Sequence, residues 1–313
     1  LATYRWNCTT SVIIRKRNRG MSTAKGVISL LLLTLTTLFW GVPLILLTLL
    51  KVITPGRRQK QRILDGLCSV ALNWIGANLW WMRRWIKPDV TISIPDSLSP
   101  QQWWLVISNH RSWTDIFILF MALHRRIPMP RFFLKHQLIW IPIVGLAFWA
   151  LEFPFMRRFS REQLAKNPKL ATIDRESTER VCRQARNAPI AIFNFVEGTR
   201  FTVAKREKQQ SPYRHLLRPK AGGVSQVLSL LGDKLDGILD VTISYENPTP
   251  TFWGFLCGKE ACITLNARQL AIPQWMNEAN YHEEQQHKER FHAWINSLWQ
   301  EKDALLAKQT NHD

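Results

Sequence analysis

Apolar residues in this chain follow three rhythms, and each predicts a different kind of element. From Val27 to Leu50 they run without a charge, flanked by Lys25 and Lys51, which exceeds the roughly 20 residues needed to cross a bilayer. Short β-branched and aromatic runs predict buried strands at Val90 to Ile94, Trp103 to Ser108, Pro189 to Val196, Leu239 to Tyr245 and Ala261 to Asn266. Glu152 to Phe159 reads as one more, ending in Arg157 and Arg158. Helical spacing follows the second run from Ile116, resumes near Gly222, and in the tail places Phe291, Trp294, Ile295, Leu298 and Leu305 on one face. Strands alternating with helices predict an α/β fold: a sheet flanked by helices, preceded by a transmembrane or re-entrant anchor helix.

Other stretches are less regular. Leu64 to Trp85 mixes Trp74, Trp80, Trp81 and Trp85 with Arg83 and Arg84 and reads as an interfacial amphipathic helix, with an ordinary amphipathic core helix as the alternative. Leu138 to Leu151, interrupted by Pro142 and Gly145, is expected to be a buried or membrane-facing helix. Residues 160–187 are charged and helical in composition, and 202–218 are polar and basic, as in a loop. The chain therefore divides into an overextended N-terminus (1–20), a membrane anchor (21–60), an interfacial segment and linker (61–95) and a main domain (96–313). Pro43 and Gly41 would kink the anchor, so a re-entrant hairpin stays open beside a full crossing. With Met21 as the start, Lys51, Arg57, Arg58, Lys60 and Arg62 outweigh Lys25 and place the main domain in the cytoplasm.

The candidate chemistry sits where strands end. Asn109 to Asp115, NHRSWTD, falls between a strand and a helix, the position at which α/β sheets carry their sites. Five residues turn roughly 140° around an ideal helix, so His110 and Asp115 would not face each other if both were helical. His110 is therefore expected in the loop, with Asp115 reaching back from the first turn. That arrangement fixes the imidazole tautomer and leaves the other ring nitrogen to take a proton from a hydroxyl. Ser112-x-x-Asp115 equally fits a capping box, and one carboxylate can serve both roles. No G-x-S-x-G elbow surrounds Ser112, which removes a serine hydrolase. The strand from Pro189 delivers a second polar cluster, Glu197-Gly198-Thr199-Arg200. Alone it would read as a solvent turn.

Charge narrows the partners. Forty-two Lys and Arg against 23 Asp and Glu give +19, which calls for an anionic counterpart: nucleic acid, an acidic membrane surface or a phosphorylated substrate. The basic residues are dispersed and no zinc-finger, RNP-like or helix-turn-helix signature occurs, which disfavours nucleic acid. A non-catalytic basic membrane-surface protein remains as the alternative class. Fifteen tryptophans suit a membrane interface. Five scattered cysteines show no metal-ligand spacing, and no metal is expected. His282, His287 and His292, five apart, are expected in solvent.

A His-x-x-x-x-Asp loop followed downstream by Phe-x-Glu-Gly-Thr-Arg resembles the glycerolipid acyltransferase family, best known as 1-acyl-glycerol-3-phosphate acyltransferases. The likeness spans Trp103 to Tyr245 and includes Asn109, Lys135, Pro142-x-x-Gly145, Arg158, Lys220 and Gly222. Phrases such as PRFFLKHQLIWIPIVGLAFWALEFPFMRRFSR look like the YihG-type bacterial membrane subgroup. The resemblance implies a glycerolipid-acyltransferase-like sheet, His110 as general base held by Asp115, and Glu197, Gly198, Thr199 and Arg200 as the site of a phosphate-bearing acceptor, with Lys135 and Arg158 as further contacts. It implies acyl-CoA or acyl carrier protein as co-substrate without another cofactor, a lysophospholipid acceptor, an anionic membrane surface, and residence in the bacterial inner membrane. Val196 and Tyr245 stand where the family commonly has proline. Backbone N–H groups near a helix N-terminus are expected to receive a developing oxyanion.

Overall fold

In the computed structural model, residues 2–6, 19–157, 167, 176, 178–183, 186, 188–277 and 285–310 are described. The long apolar run lies inside α1 (Arg19–Ile53), which turns at Gly56 into α2 (Arg57–Trp81), itself running into a π-helical turn, Met82–Ile86. The strands β1 (Ala2–Trp6), β2 (Val90–Ile94) and β3 (Trp104–Ser108) are followed by α3 (Thr114–Leu123) and β4 (Pro130–Phe132). Two short strands, β5 (Leu134–Lys135) and β6 (Phe155–Met156), pair with each other and enclose a 3₁₀ turn and α4 (Val144–Ala150). Then come β7 (Ala191–Phe195), α5 (Val203–Lys208), α6 (Ala221–Leu231), β8 (Gly237–Tyr245), α7 (Phe252–Leu256), β9 (Ile263–Leu270) and the tail helix α8 (Gln285–Thr310).

Seven strands form the main sheet in the order β1-β2-β9-β8-β3-β7-β4. Four successive strands at one side of it, β8-β3-β7-β4, are parallel, so the C-terminal ends of these strands open together, where loops can converge. Strand β3 is buried along its whole length, as a central parallel strand covered on both faces must be. Alternation sorts its side chains into two cores. Trp104 and Val106 join α2 and α3 on one face, whereas Leu105 and Ile107 join α6 and α8 on the other.

Several expectations change here. Residues 2–6, for which no element is predicted, pair antiparallel with β2. The span expected as a loop at 202–218 contains α5, which starts at Thr202 because its hydroxyl accepts the N–H of Lys205. Pro142 and Gly145 shorten the expected 138–151 helix to α4, leaving Trp140 and Trp149 exposed. Among the described residues of the expected 152–159 strand, Phe155–Met156 are paired. Arg158 and most of 160–187 lie outside the described residues.

The segment expected to be interfacial is a core helix in large part. Leu64, Leu67, Ala71, Ile75 and Leu79 of α2 are buried on the sheet, and Trp80 faces outward. In the tail the buried stripe is Phe291, Ile295, Leu298, Lys302 and Leu306, while Leu305 is exposed. Lys302 is a buried charge in an otherwise polar helix. Its ammonium bonds Asp240 at 2.6 Å, the carbonyl of Val241 and the hydroxyl of Thr242, so one buried ion pair pins α8 to the sheet. His287 is likewise buried, edge-on to Trp275, and not in solvent. Trp104 and Trp299 are core residues, which takes them out of the interfacial set.

Helix α1 is long and apolar enough to cross a membrane by length and composition. It packs lengthwise on the domain, however, and is tied to it near both ends. Lys25 donates to the carbonyl of Ile86 and Ser29 to that of Leu256, while Lys51 forms a 2.7 Å ion pair with Glu152. Between them Thr36 donates to Asn78 and Trp74 to Thr37. Gly41 permits close approach, since a Cβ there would lie 3.0 Å from the side chain of Ile143. The opposite face, including Leu35, Leu38, Phe39, Val42, Leu46 and Leu49, is exposed.

Candidate active site

Asn109 begins the site by prolonging a strand with a side chain. Beyond Ser108, its amide donates to the carbonyl of Ile243 and accepts the N–H of Ile243, both at 2.9 Å. The primary amide thus substitutes for one more backbone pair between β3 and β8, and fixes where the chain leaves the sheet. His110 follows in the loop, as its spacing from Asp115 predicts. Its Nδ1 lies 2.8 Å from Asp115 Oδ2, and its ring stacks on Phe195 with centroids 4.0 Å apart. The remaining nitrogen, Nε2, is the one placed to meet a substrate. The imidazole is mostly covered, with 13% of its side chain exposed.

Asp115 is fully buried and takes more than the histidine. Oδ2 also accepts the backbone N–H groups of Arg111 at 2.7 Å and Ser112 at 3.0 Å, and Oδ1 accepts the hydroxyl of Tyr245. The cap and the dyad therefore coexist on one carboxylate. Ser112 answers only in part, its hydroxyl accepting the N–H of Thr114 at 3.2 Å. The N–H groups of Arg111 and Ser112 are thus engaged by Asp115. Arg111 itself donates to the carbonyl of Pro248 and lies over the ring of Phe201. Burial lowers its pKa, with Glu197 and Asp115 pulling the other way.

The second cluster sits at the end of β7, the strand next to β3. Glu197 is completely buried. Its Oε1 accepts the N–H of His110 at 3.0 Å and its Oε2 that of Leu217 at 2.8 Å. Burial pushes its pKa up to about 8, against the opposing effect of the two backbone donors and Arg111. Glu197 thus braces the histidine loop from beneath. Gly198 has φ of 69°, and a Cβ there would press on the Lys220 side chain at 3.1 Å. This turn therefore needs glycine both for its left-handed backbone and for space.

Thr199 is partly buried and Arg200 exposed. Thr199 accepts from the Lys205 ammonium at 2.8 Å, and Lys205 also donates to the carbonyl of Arg200. The guanidinium of Arg200 is exposed and lies over Trp113, within the first motif. Lys205 has its pKa lowered by partial burial and then by the neighbouring charges of Arg200 and Lys135. Lys205 is thus bonded to the Arg200 backbone and feels the charges of Arg200 and Lys135, and it is a residue that the sequence analysis does not single out. A helix start at Thr202 in an apparently loop-like stretch was the signal available. Arg157 lies on a different cavity of about 550 Å³, lined also by His136, Trp149, Arg180 and Arg183. Among the described residues, no three His, Cys, Asp or Glu side chains group as metal ligands.

This constellation can orient an imidazole as a base and hold an anion beside it. A family model described as Acyltransferase matches residues 89–246, which include His110, Asp115, Glu197, Arg200 and Tyr245. An uncharacterized acyltransferase of Saccharomyces cerevisiae is 25% identical over 232 residues, covering 66% of this chain and 59% of the relative. The 1-acyl-sn-glycerol-3-phosphate acyltransferase delta of Rattus norvegicus is 25% identical over 272 residues, covering 81% of this chain and 66% of the relative. The chain thus spans under two thirds of the length of these relatives. A crystal structure of the lysophosphatidic acid acyltransferase PlsC from Thermotoga maritima aligns with TM-score 0.44 and 16% identity, over 88% of this chain and 97% of that one. With half of its residues matched by the family model, this chain belongs to the acyltransferase family.

Proposed function

We propose that the protein is a membrane-bound O-acyltransferase that moves a fatty acyl group from acyl-CoA or acyl carrier protein to 1-acyl-glycerol 3-phosphate, giving phosphatidic acid. The observation that carries this reading is the junction of the buried His110–Asp115 dyad with the Glu197–Arg200 turn at the end of the adjoining strand, made by the hydrogen bond from the His110 N–H to Glu197. The sequence of the rat relative, by its name, belongs to an enzyme of this activity.

In this mechanism Nε2 of His110 takes the proton of the acceptor hydroxyl as its oxygen attacks the thioester carbonyl. Asp115 holds the tautomer with the proton on Nδ1 and stabilises the imidazolium that forms. Collapse of the tetrahedral intermediate expels the thiolate, which takes its proton from His110, leaving an ester and a free thiol. The scheme uses no covalent acyl-enzyme and no metal. Arg200 offers two N–H groups to a phosphate, and Lys135 and Lys205 add point charges. Thr199 is a neutral contact at the same rim, and Arg158 is a further contact by resemblance.

The exposed apolar face of α1 supports attachment to a lipid surface. Tethers near both ends, about 39 Å apart at helical rise, favour a helix lying along the domain within one leaflet over one that crosses away from it. Tryptophans 80, 140 and 149 are exposed and suit the headgroup layer. Basic residues after α1 are consistent with the inner bacterial membrane, the domain facing the cytoplasm where acyl thioesters are made, and with the YihG-type subgroup. Purified protein given labelled acyl-CoA and lysophosphatidic acid in liposomes should yield phosphatidic acid. Turnover confined to a different lysophospholipid would move the acceptor assignment while leaving the reaction class.

A further inference from the structure

We propose that Tyr245 is a positioning residue of the acyl transfer, its hydroxyl holding Asp115 in the orientation that serves His110. The inference rests on the reading of His110 as the base. Strand β8 pairs with β3 through Ser108 and Val241 and then continues past the end of β3 to Tyr245. Alternation puts Val241, Ile243 and Tyr245 on the face covered by α3. This overhang brings the Tyr245 ring beside the first turn of α3, where the hydroxyl meets Asp115 Oδ1.

The division of labour on the carboxylate makes the contact consequential. The oxygen that holds His110 also receives two backbone N–H groups from its own loop, and all three donors lie within five residues of Asp115. Tyr245 is the long-range donor, 130 residues away, and it alone among the bonds to Asp115 fixes the far oxygen. Without it, a buried carboxylate oxygen would lose its partner, and the carboxylate plane would be held at one end only. A donor on Oδ1 also withdraws charge from Oδ2, which tempers the pull of the carboxylate on the imidazolium. Ordinary core packing would need the ring of Tyr245 and not its hydroxyl.

The test replaces Tyr245 by Phe and, separately, by a ring-fluorinated tyrosine whose hydroxyl is a stronger donor. Y245F should lower kcat about tenfold at unchanged KM for both substrates, and move the acid limb of the kcat/KM profile upward by about half a unit to one unit. The fluorinated residue should move the same limb downward. In an Asp115→Asn background, Tyr245→Phe should cost little more. A Y245F enzyme with wild-type kcat and acid limb, whatever its melting temperature, overturns the proposal. If Y245F fails to fold, the fluorinated series decides, and an unmoved limb there counts against it. Retained turnover in His110→Ala would overturn the base assignment together with this inference, whereas a wild-type Y245F beside an inactive His110→Ala overturns this inference alone.

Discussion

Glu197 Oε1 accepts the backbone N–H of His110 at 3.0 Å, so two motifs separated by 87 residues are joined by a hydrogen bond. The other oxygen reaches the N–H of Leu217. Burial raises this carboxyl above its ordinary range, to about 8, so the folded protein holds a proton that the unfolded chain releases near pH 4.5. A raised pKa contributes stability that is complete below the unfolded value and lost as pH rises through the folded one. Urea unfolding followed between pH 5 and 8 should therefore show a falling contribution from this group. Glu197→Gln should flatten that slope, whatever its effect on absolute stability, and an unaltered slope would contradict the raised pKa.

Asp115 should matter through orientation more than through charge alone. Asp115→Asn keeps the volume but offers an amide where three donors converge, and it favours the wrong imidazole tautomer. A loss of about 10²- to 10⁴-fold in kcat is expected, comparable to the usual contribution of a general base. Steady-state kinetics at saturating donor and acceptor would measure it.

Arg200 and Lys205 predict a different signature. Arg200→Lys preserves charge but loses the two-pronged contact, and should raise the KM for lysophosphatidic acid about tenfold, with a smaller effect on kcat. Lys205→Ala should do the same more weakly while also loosening Thr199. Acceptor titrations with a neutral monoacylglycerol as control separate the cases, because its KM should be insensitive to either change.

Lys302 gives a prediction about stability alone. Lys302→Met removes the buried partner of Asp240, leaving Arg268 as its partly exposed neighbour. A loss of about 3 kcal/mol is expected, in line with breaking other buried pairs. Chemical denaturation would read it directly.

Strands β2, β3, β7, β8 and β9 are legible in the sequence because their apolar runs are short, β-branched and bounded by polar clusters, whereas the three-residue edge strand β4 leaves no such run. His110 and Asp115 are legible as a pair because five-residue spacing across a loop-to-helix junction leaves few alternatives. What is not legible depends on tertiary context. Lys302 looks like any charge in a polar helix until α8 is laid on β8. Tyr245 resembles an ordinary strand end until β8 is seen to overrun β3. Glu197 is expected beside the substrate from its place in a polar quartet at a strand terminus, and the structure adds that it is buried and holds two backbone N–H groups. Only burial separates it from Thr199 and Arg200, which share that quartet.

The central claim is that His110 removes the proton from the acceptor hydroxyl, and the most direct measurement is the rate of phosphatidic acid formation by His110→Ala. Purified variant and wild type would be compared with labelled acyl-CoA and lysophosphatidic acid in the same liposomes. The account predicts a fall of about 10³-fold or more in kcat with acceptor binding retained. Turnover at the wild-type rate would contradict it.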